Sequence, residues 1–111
     1  MNVRPWGRYD ILGRGDGVQV KRIEVKPGLR FSLQRHRRRD EKWVIMSGKG
    51  VATVGRKRIA VKSGSVLEIP ARRVHRMENT GPKPLVFIEV QFGDYLGEDD
   101  IERLEDDFGR V

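Results

Sequence analysis

The chain has 111 residues, no cysteine and a formal net charge of +7. That length supports one domain with one core over residues 1–111, and the missing thiols exclude a disulfide scaffold and a thiolate metal site. The charge is split: residues 1–97 carry 21 Lys/Arg against 9 Asp/Glu, while residues 98–111 carry 2 against 7.

Strand-like runs follow one another at glycine-bearing turns, the pattern of an all-β sandwich or barrel. Arg8–Leu12 leads into Asp16-Gly17, a hairpin signal because both residues tolerate positive φ. Val18 and Val20 alternate in one phase, Ile23 and Val25 in the other, which predicts a bulge near Lys21-Arg22. Pro27-Gly28 is a turn, and Trp43–Met46 reads as a buried strand ended by Ser47-Gly48. Val51–Val54 and Arg58–Val61 flank Gly55-Arg56-Lys57 as a hairpin. Val66–Ile69 is stopped by Pro70, and Leu85–Phe92 is the longest apolar run, hence a central strand. In the tail, Ile101, Leu104 and Phe108 recur at helical spacing after Glu98-Asp99-Asp100, with Gly109 as a stop. This predicts a short C-terminal α-helix packed on the barrel.

Two stretches carry candidate chemistry. The first runs from Gly28 through Gln34, His36 and Glu41 to Gly48; the second from Gly64 through Pro70 and His75 to Asn79. Gln34 and His36 share a strand face because alternate residues do. Glu41 and His75 arrive from neighbouring strands. Two imidazoles, a carboxylate and an amide oxygen form a first-row divalent metal set, with positions left over for water or substrate. Zinc is the first choice for the ion; manganese, iron, cobalt and nickel are admissible.

The two stretches resemble the paired motifs of the cupin superfamily, with Gln34 in place of the first His and Arg72 in place of a glycine. The resemblance implies a double-stranded β-helix, or jelly roll. More closely, the chain resembles the C-terminal isomerase domain of type II mannose-6-phosphate isomerases. Arg4-Pro5-Trp6-Gly7 with Tyr9, Val20–Ile23, Val25–Gly28, the metal region, Ile88–Gln91, Tyr95–Ile101 and Asp107–Arg110 carry that likeness. The family's usual Gln-Met-His-His-His-Arg-x-Glu-His-Trp stands here as Gln34-Arg35-His36-Arg37-Arg38-Arg39-Asp40-Glu41-Lys42-Trp43.

The resemblance implies interconversion of mannose 6-phosphate and fructose 6-phosphate through an enediol. The metal ligands are then Gln34, His36, Glu41 and His75. Arg39 is the expected phosphate fork, with Arg37, Arg72 and Lys42 as further cations. Lys42, at the position of a family His, joins Glu41 and Arg39 in the catalytic set. Glu41, Glu89 or metal-bound hydroxide is the base, and Tyr95 and Trp6 line the sugar site or seal the end of the barrel by packing. The alternative is a metal-binding cupin with altered or no catalysis that binds a sugar phosphate or another small anion. A cytoplasmic homodimer with N-terminal strand exchange is expected, with no membrane-spanning segment and no secretory signal. Arg35 and Arg37–Arg39 suggest nucleic acid, but no aromatics interleave with them, so that partner is not expected.

Overall fold

A computed structural model describes residues 2–111. Eleven strands form among them: β1 (Asn2–Arg4), β2 (Gly7–Gly15), β3 (Val18–Val25), β4 (Leu33–Arg35), β5 (Arg39–Ser47), β6 (Lys49–Val54), β7 (Lys57–Lys62), β8 (Val66–Ile69), β9 (His75–Asn79), β10 (Leu85–Gly93) and β11 (Glu102–Glu105). One antiparallel sheet runs β1-β2-β3-β10-β5-β8, the other β11-β4-β9-β6-β7. The two face each other as a jelly roll without joining into a closed ring, so the expected all-β architecture holds and the closed barrel does not. Leu85–Gly93 lies central to its sheet, between β3 and β5.

The core fills the space between the sheets from alternate strand positions. Trp43 is fully buried at its centre. Its ring lies 4.9 Å from Phe87, 6.1 Å from Phe31 and 5.6 Å from His75, and Trp6 packs on Phe31 at 5.4 Å. Trp43 therefore joins the apolar core to the polar end of the roll.

Two sequence expectations are corrected. The bulge lies in β2, between Ile11 and Gly13 opposite Lys21 and Val20, and not in β3. Strand β3 alternates without a slip: Gln19, Lys21, Ile23 and Val25 are buried. The apparent change of phase arose because two of the inward residues are polar. The C-terminal helix is absent, since 102–105 forms β11 on the edge of β4, pairing Glu102 with Arg35, Arg103 with Gln34 and Glu105 with Leu33. A helix there would leave β4 with a bare row of backbone donors and acceptors. An isolated helix this short is marginal in any case. The strand instead gains ladder bonds and the Arg35–Glu102 ion pair (Nε to Oε1, 2.7 Å).

Turn chemistry explains the framing residues. Gly48 closes the β5–β6 turn at φ 86°, where an added Cβ would sit 2.7 Å from the Pro84 carbonyl oxygen. Asn79 is fully buried; its amide donates to the Val25 and Lys83 carbonyls at 2.9 and 2.7 Å, and its oxygen accepts from Gly81 N–H. It fastens the β9–β10 connection and touches no site atom. Arg72 stands at φ 70°, with its backbone N–H donating to the His36 carbonyl at 2.6 Å. A β-carbon is disfavoured in that left-handed region. Arg72→Gly therefore stabilises the protein by roughly 0.5–1 kcal/mol. Thermal denaturation should show a rise of a few degrees, and an unchanged or lower midpoint would contradict the strain argument.

Candidate metal centre and ligand pocket

His36 follows β4, Glu41 lies near the start of β5 and His75 opens β9. Their ligand atoms all fall within 4.8 Å of one another, and all three residues are buried. His36 Nδ1–H donates to the Asp100 carbonyl (2.6 Å) and His75 Nδ1–H to the Arg73 carbonyl (2.9 Å). With each Nδ1 so committed, both Nε2 lone pairs turn towards Glu41, at 3.4 Å from Oε2 and 3.8 Å from Oε1. Burial pushes His36 down to about 4, aided by the charge of Arg39 and by His75; burial likewise pushes His75 down to about 4. Both rings are neutral at pH 7, so these two contacts are not ion pairs. Two neutral imidazoles and a carboxylate converging on one point form a donor set that could hold a divalent ion. Gln34, opposite His75 in the ladder, lines a pocket together with His36.

Arg39 is buried in this cluster. Its Nε donates to Glu41 Oε2 (2.8 Å) and its Nη2 to His36 Nε2 (3.1 Å). Arg39 was expected to fork a phosphate away from the metal; it instead holds the candidate ligands themselves. Glu41 Oε1 accepts from the Trp43 indole N–H (3.0 Å), which is shared with Glu89 Oε1 (3.2 Å). Glu89 Oε2 accepts from Gln91, and Gln91 Oε1 accepts from Gln19, both at 2.9 Å. Burial pushes Glu89 up to about 8, with the neighbouring Glu41 adding to the shift.

The pocket above the cluster has a volume of 130 Å³, and Arg4, Lys21, Arg103 and Arg110 bring cationic side chains to it. Glu89 and Trp6 line it. Lys42 does not: it points to the outer face of the sheet, half exposed, 3.7 Å from Glu68. Alternation along β5 requires this once Glu41 faces inward. Arg37 and Arg72 are exposed on turns outside the pocket. Tyr95 lines a separate cleft with Arg14 and Gln19, its hydroxyl bonded to Asp99 and its ring beneath Arg38. The sequence reading missed Arg4, Lys21, Glu98, Arg103 and Arg110. For Lys21 the signal was present, as a polar residue at an inward position of an otherwise apolar strand.

The depressed imidazoles fix a pH dependence. Between about pH 4 and 6.5 the unfolded chain binds protons that the folded metal-free protein refuses. Stability is thus unaffected by these rings above 6.5 and declines as pH falls through that window, by at most about 3 kcal/mol for each ring. Denaturant titrations of the metal-free protein from pH 7 to 4.5 should show this decline, and His75→Gln should shallow it. Glu89, held protonated up to about 8, opposes this trend, so the decisive profile is that of Glu89→Gln, and a flat one there would refute the assignment of buried neutral rings.

Among the described residues, no helix is long and apolar enough to cross a membrane. The profile of the family described as "Mannose-6-phosphate isomerase C-terminal" matches residues 1–106. The chain is 51% identical over 108 residues to alginate biosynthesis protein AlgA of Pseudomonas aeruginosa, covering 97% of this chain and 22% of that protein. It is 46% identical over 107 residues to a mannose-1-phosphate guanylyltransferase of Escherichia coli, covering 96% of this chain and 23% of that one. The chain thus spans about a fifth of the length of the curated relatives it matches. Among solved structures, the capsular polysaccharide assembling protein CapF of Staphylococcus aureus superposes with a TM-score of 0.82 at 27% identity, over 95% of this chain and 34% of that one. A Klebsiella pneumoniae protein with a double-stranded β-helix domain superposes at 0.78 and 21% identity, over 93% and 90%, and so shows the fold. With its fold, its paired motifs and nearly its whole length accounted for, the chain belongs to the mannose-6-phosphate isomerase C-terminal family of cupin domains.

Proposed function

We propose that this chain interconverts mannose 6-phosphate and fructose 6-phosphate, using one divalent ion, zinc by preference, at His36, Glu41 and His75 with Gln34 beside them. One observation carries the proposal. A neutral His pair and a carboxylate converge beside a pocket that His36 itself lines and that also gathers Arg4, Lys21, Arg103 and Arg110. The first group suits a sugar's carbonyl end and the second its phosphate.

A bound divalent ion supplies Lewis acidity to the carbonyl oxygen. The remaining work falls to side chains. Glu41 belongs to the candidate metal cluster and does not line the pocket, whereas Glu89 does, and we assign the proton transfer to Glu89. In its ionised form the carboxylate takes the proton from C2, the C2–H electron pair forms the C1–C2 double bond of the enediol, and the carbonyl oxygen takes a proton from solvent. The same carboxyl then returns its proton to C1 as the C2 hydroxyl releases its own to solvent and becomes the ketone. Trp43 and Gln91 hold the Glu89 oxygens in place. Arg103 lines the same pocket, and its buried Nε has no hydrogen-bond partner among the described residues. A phosphate oxygen would satisfy it.

A second reading, a cupin that binds the sugar phosphate without turnover, is favoured by Arg39. Its guanidinium bonds to the ligand atoms a metal would use. An isomerase assay on the protein loaded in turn with zinc, cobalt, manganese, nickel and iron separates the two. Turnover with any of them supports the enzyme, and none with all five removes it. In the active form, Arg103→Gln should raise KM for the phosphorylated sugar about tenfold with kcat within about twofold. Lys42→His should leave both unchanged, since position 42 lies outside the pocket.

We further propose a cytoplasmic homodimer formed by exchange of β1. That strand is the free edge of its sheet, and Val3 on it is 70% exposed. Light scattering at tens of micromolar should give twice the 12.8 kDa chain mass, and a monomer would end the proposal.

A further inference from the structure

Lys21 is a buried cation whose hydrogen-bonded carboxylate lies at the surface. Its side chain is 4% exposed, and its Nζ donates to Glu98, whose side chain is 55% exposed. Its other neighbours in the pocket are the Tyr9 ring, with Nζ 4.2 Å from the centroid, and Glu89, opposite it in the β3–β10 ladder. Both Glu89 oxygens are already bonded, to Trp43 and Gln91. Glu98 is therefore the one carboxylate among the described residues that is hydrogen-bonded to Lys21.

The two partners stand to lose unequally. Removing the counter-ion from a buried ammonium is costly, whereas an exposed carboxylate returns to water at little cost. Swinging Glu98 outward would disturb little else. The segment around it is held separately: Asp99 accepts from the Tyr95 hydroxyl, Asp100 accepts from the Arg37 and Arg38 N–H groups (2.9 and 3.0 Å), and the Asp100 carbonyl accepts from His36.

We infer that Glu98 occupies the anion subsite as an internal surrogate, and that a ligand phosphate enters by displacing it from Lys21, with Arg103 as a second contact. This rests on the sugar-phosphate reading for its biological ligand, but it concerns anion binding alone. Glu98 is then a specificity-determining residue: an anion can take its place on Lys21 and a neutral sugar cannot.

The test titrates inorganic phosphate into the metal-free full chain at fixed ionic strength, by calorimetry or amide NMR shifts. Glu98→Gln should tighten phosphate about fivefold to tenfold. Glu68→Gln, the same charge change on the outer face, should alter it less than about twofold. Lys21→Met should weaken phosphate about tenfold and abolish the gain from Glu98→Gln in the double variant. The inference is overturned if Glu98→Gln does not tighten phosphate, if Glu68→Gln tightens it equally, or if the gain survives without Lys21. It is also overturned if phosphate at tens of millimolar binds neither the wild type nor Glu98→Gln. Should Lys21→Met fail to fold, Glu98→Asp decides: it should bind phosphate more weakly than Glu98→Gln, and equality would be fatal. No turnover enters these readouts, so an inactive protein that shows the gain keeps the exchange and loses only the isomerase.

Discussion

The burial of one carboxylate organises this end of the molecule. Glu41 is 2% exposed, and an acid withdrawn from water so fully must find its compensation in the protein. Arg39 on its own strand and the Trp43 indole two residues on donate to it, while two neutral imidazoles from separate segments aim lone pairs at the same point, as a cation there would require. Each of these groups is constrained in turn by what holds it. Trp43 is wedged between Phe31 and Phe87, so the apolar core sets where its N–H can point. The metal-type geometry is thus an outcome of hydrophobic packing as much as of polar chemistry.

The two imidazoles reach this point by different routes. His75 is fixed by β9 and by a bond to Arg73 in the preceding turn, a local arrangement. His36 is fixed from far along the chain, by the Asp100 carbonyl. The segment carrying Asp100 also carries Glu98 into the pocket and continues into β11, which brings Arg103 to the same place. The tail is therefore part of the site, and the strand that replaced the expected helix is the means by which it becomes so. A helix at 102–105 would have abandoned the β4 ladder that sets Arg103 opposite Gln34.

What the sequence disclosed follows the range of the physics. Strand positions, turns and the pairing of the two motifs depend on local periodicity and on glycine, and they were legible. So were His36, Glu41 and His75, because alternation and spacing decide which way they face. Lys42, Arg37 and Arg72 were misplaced for a related reason: a likeness marks a position, while the strand face or turn decides whether its side chain reaches the pocket. The mouth cations were invisible because Arg4, Lys21, Arg103 and Arg110 come from both ends of the chain and meet only after the sheets pack. Strand β11 was missed because an edge seeking a partner leaves no periodic trace in the partner's sequence.

The split between a basic body and an acidic tail also takes on a structural meaning. The tail lies along the body as a row of ion pairs, Arg35 with Glu102, Arg30 with Asp107 and Arg76 with Glu105. The first two pairs are substantially open to water on both sides, and dissolved salt screens such contacts. The carbonyl that orients His36 belongs to the stretch immediately before this row. Concentrated electrolyte would loosen the fastening and let the imidazole turn, without any ion entering the buried cluster. An ion bound at the proposed centre would be held less firmly in brine than in dilute buffer, through a mechanical linkage running from the surface to the ligand.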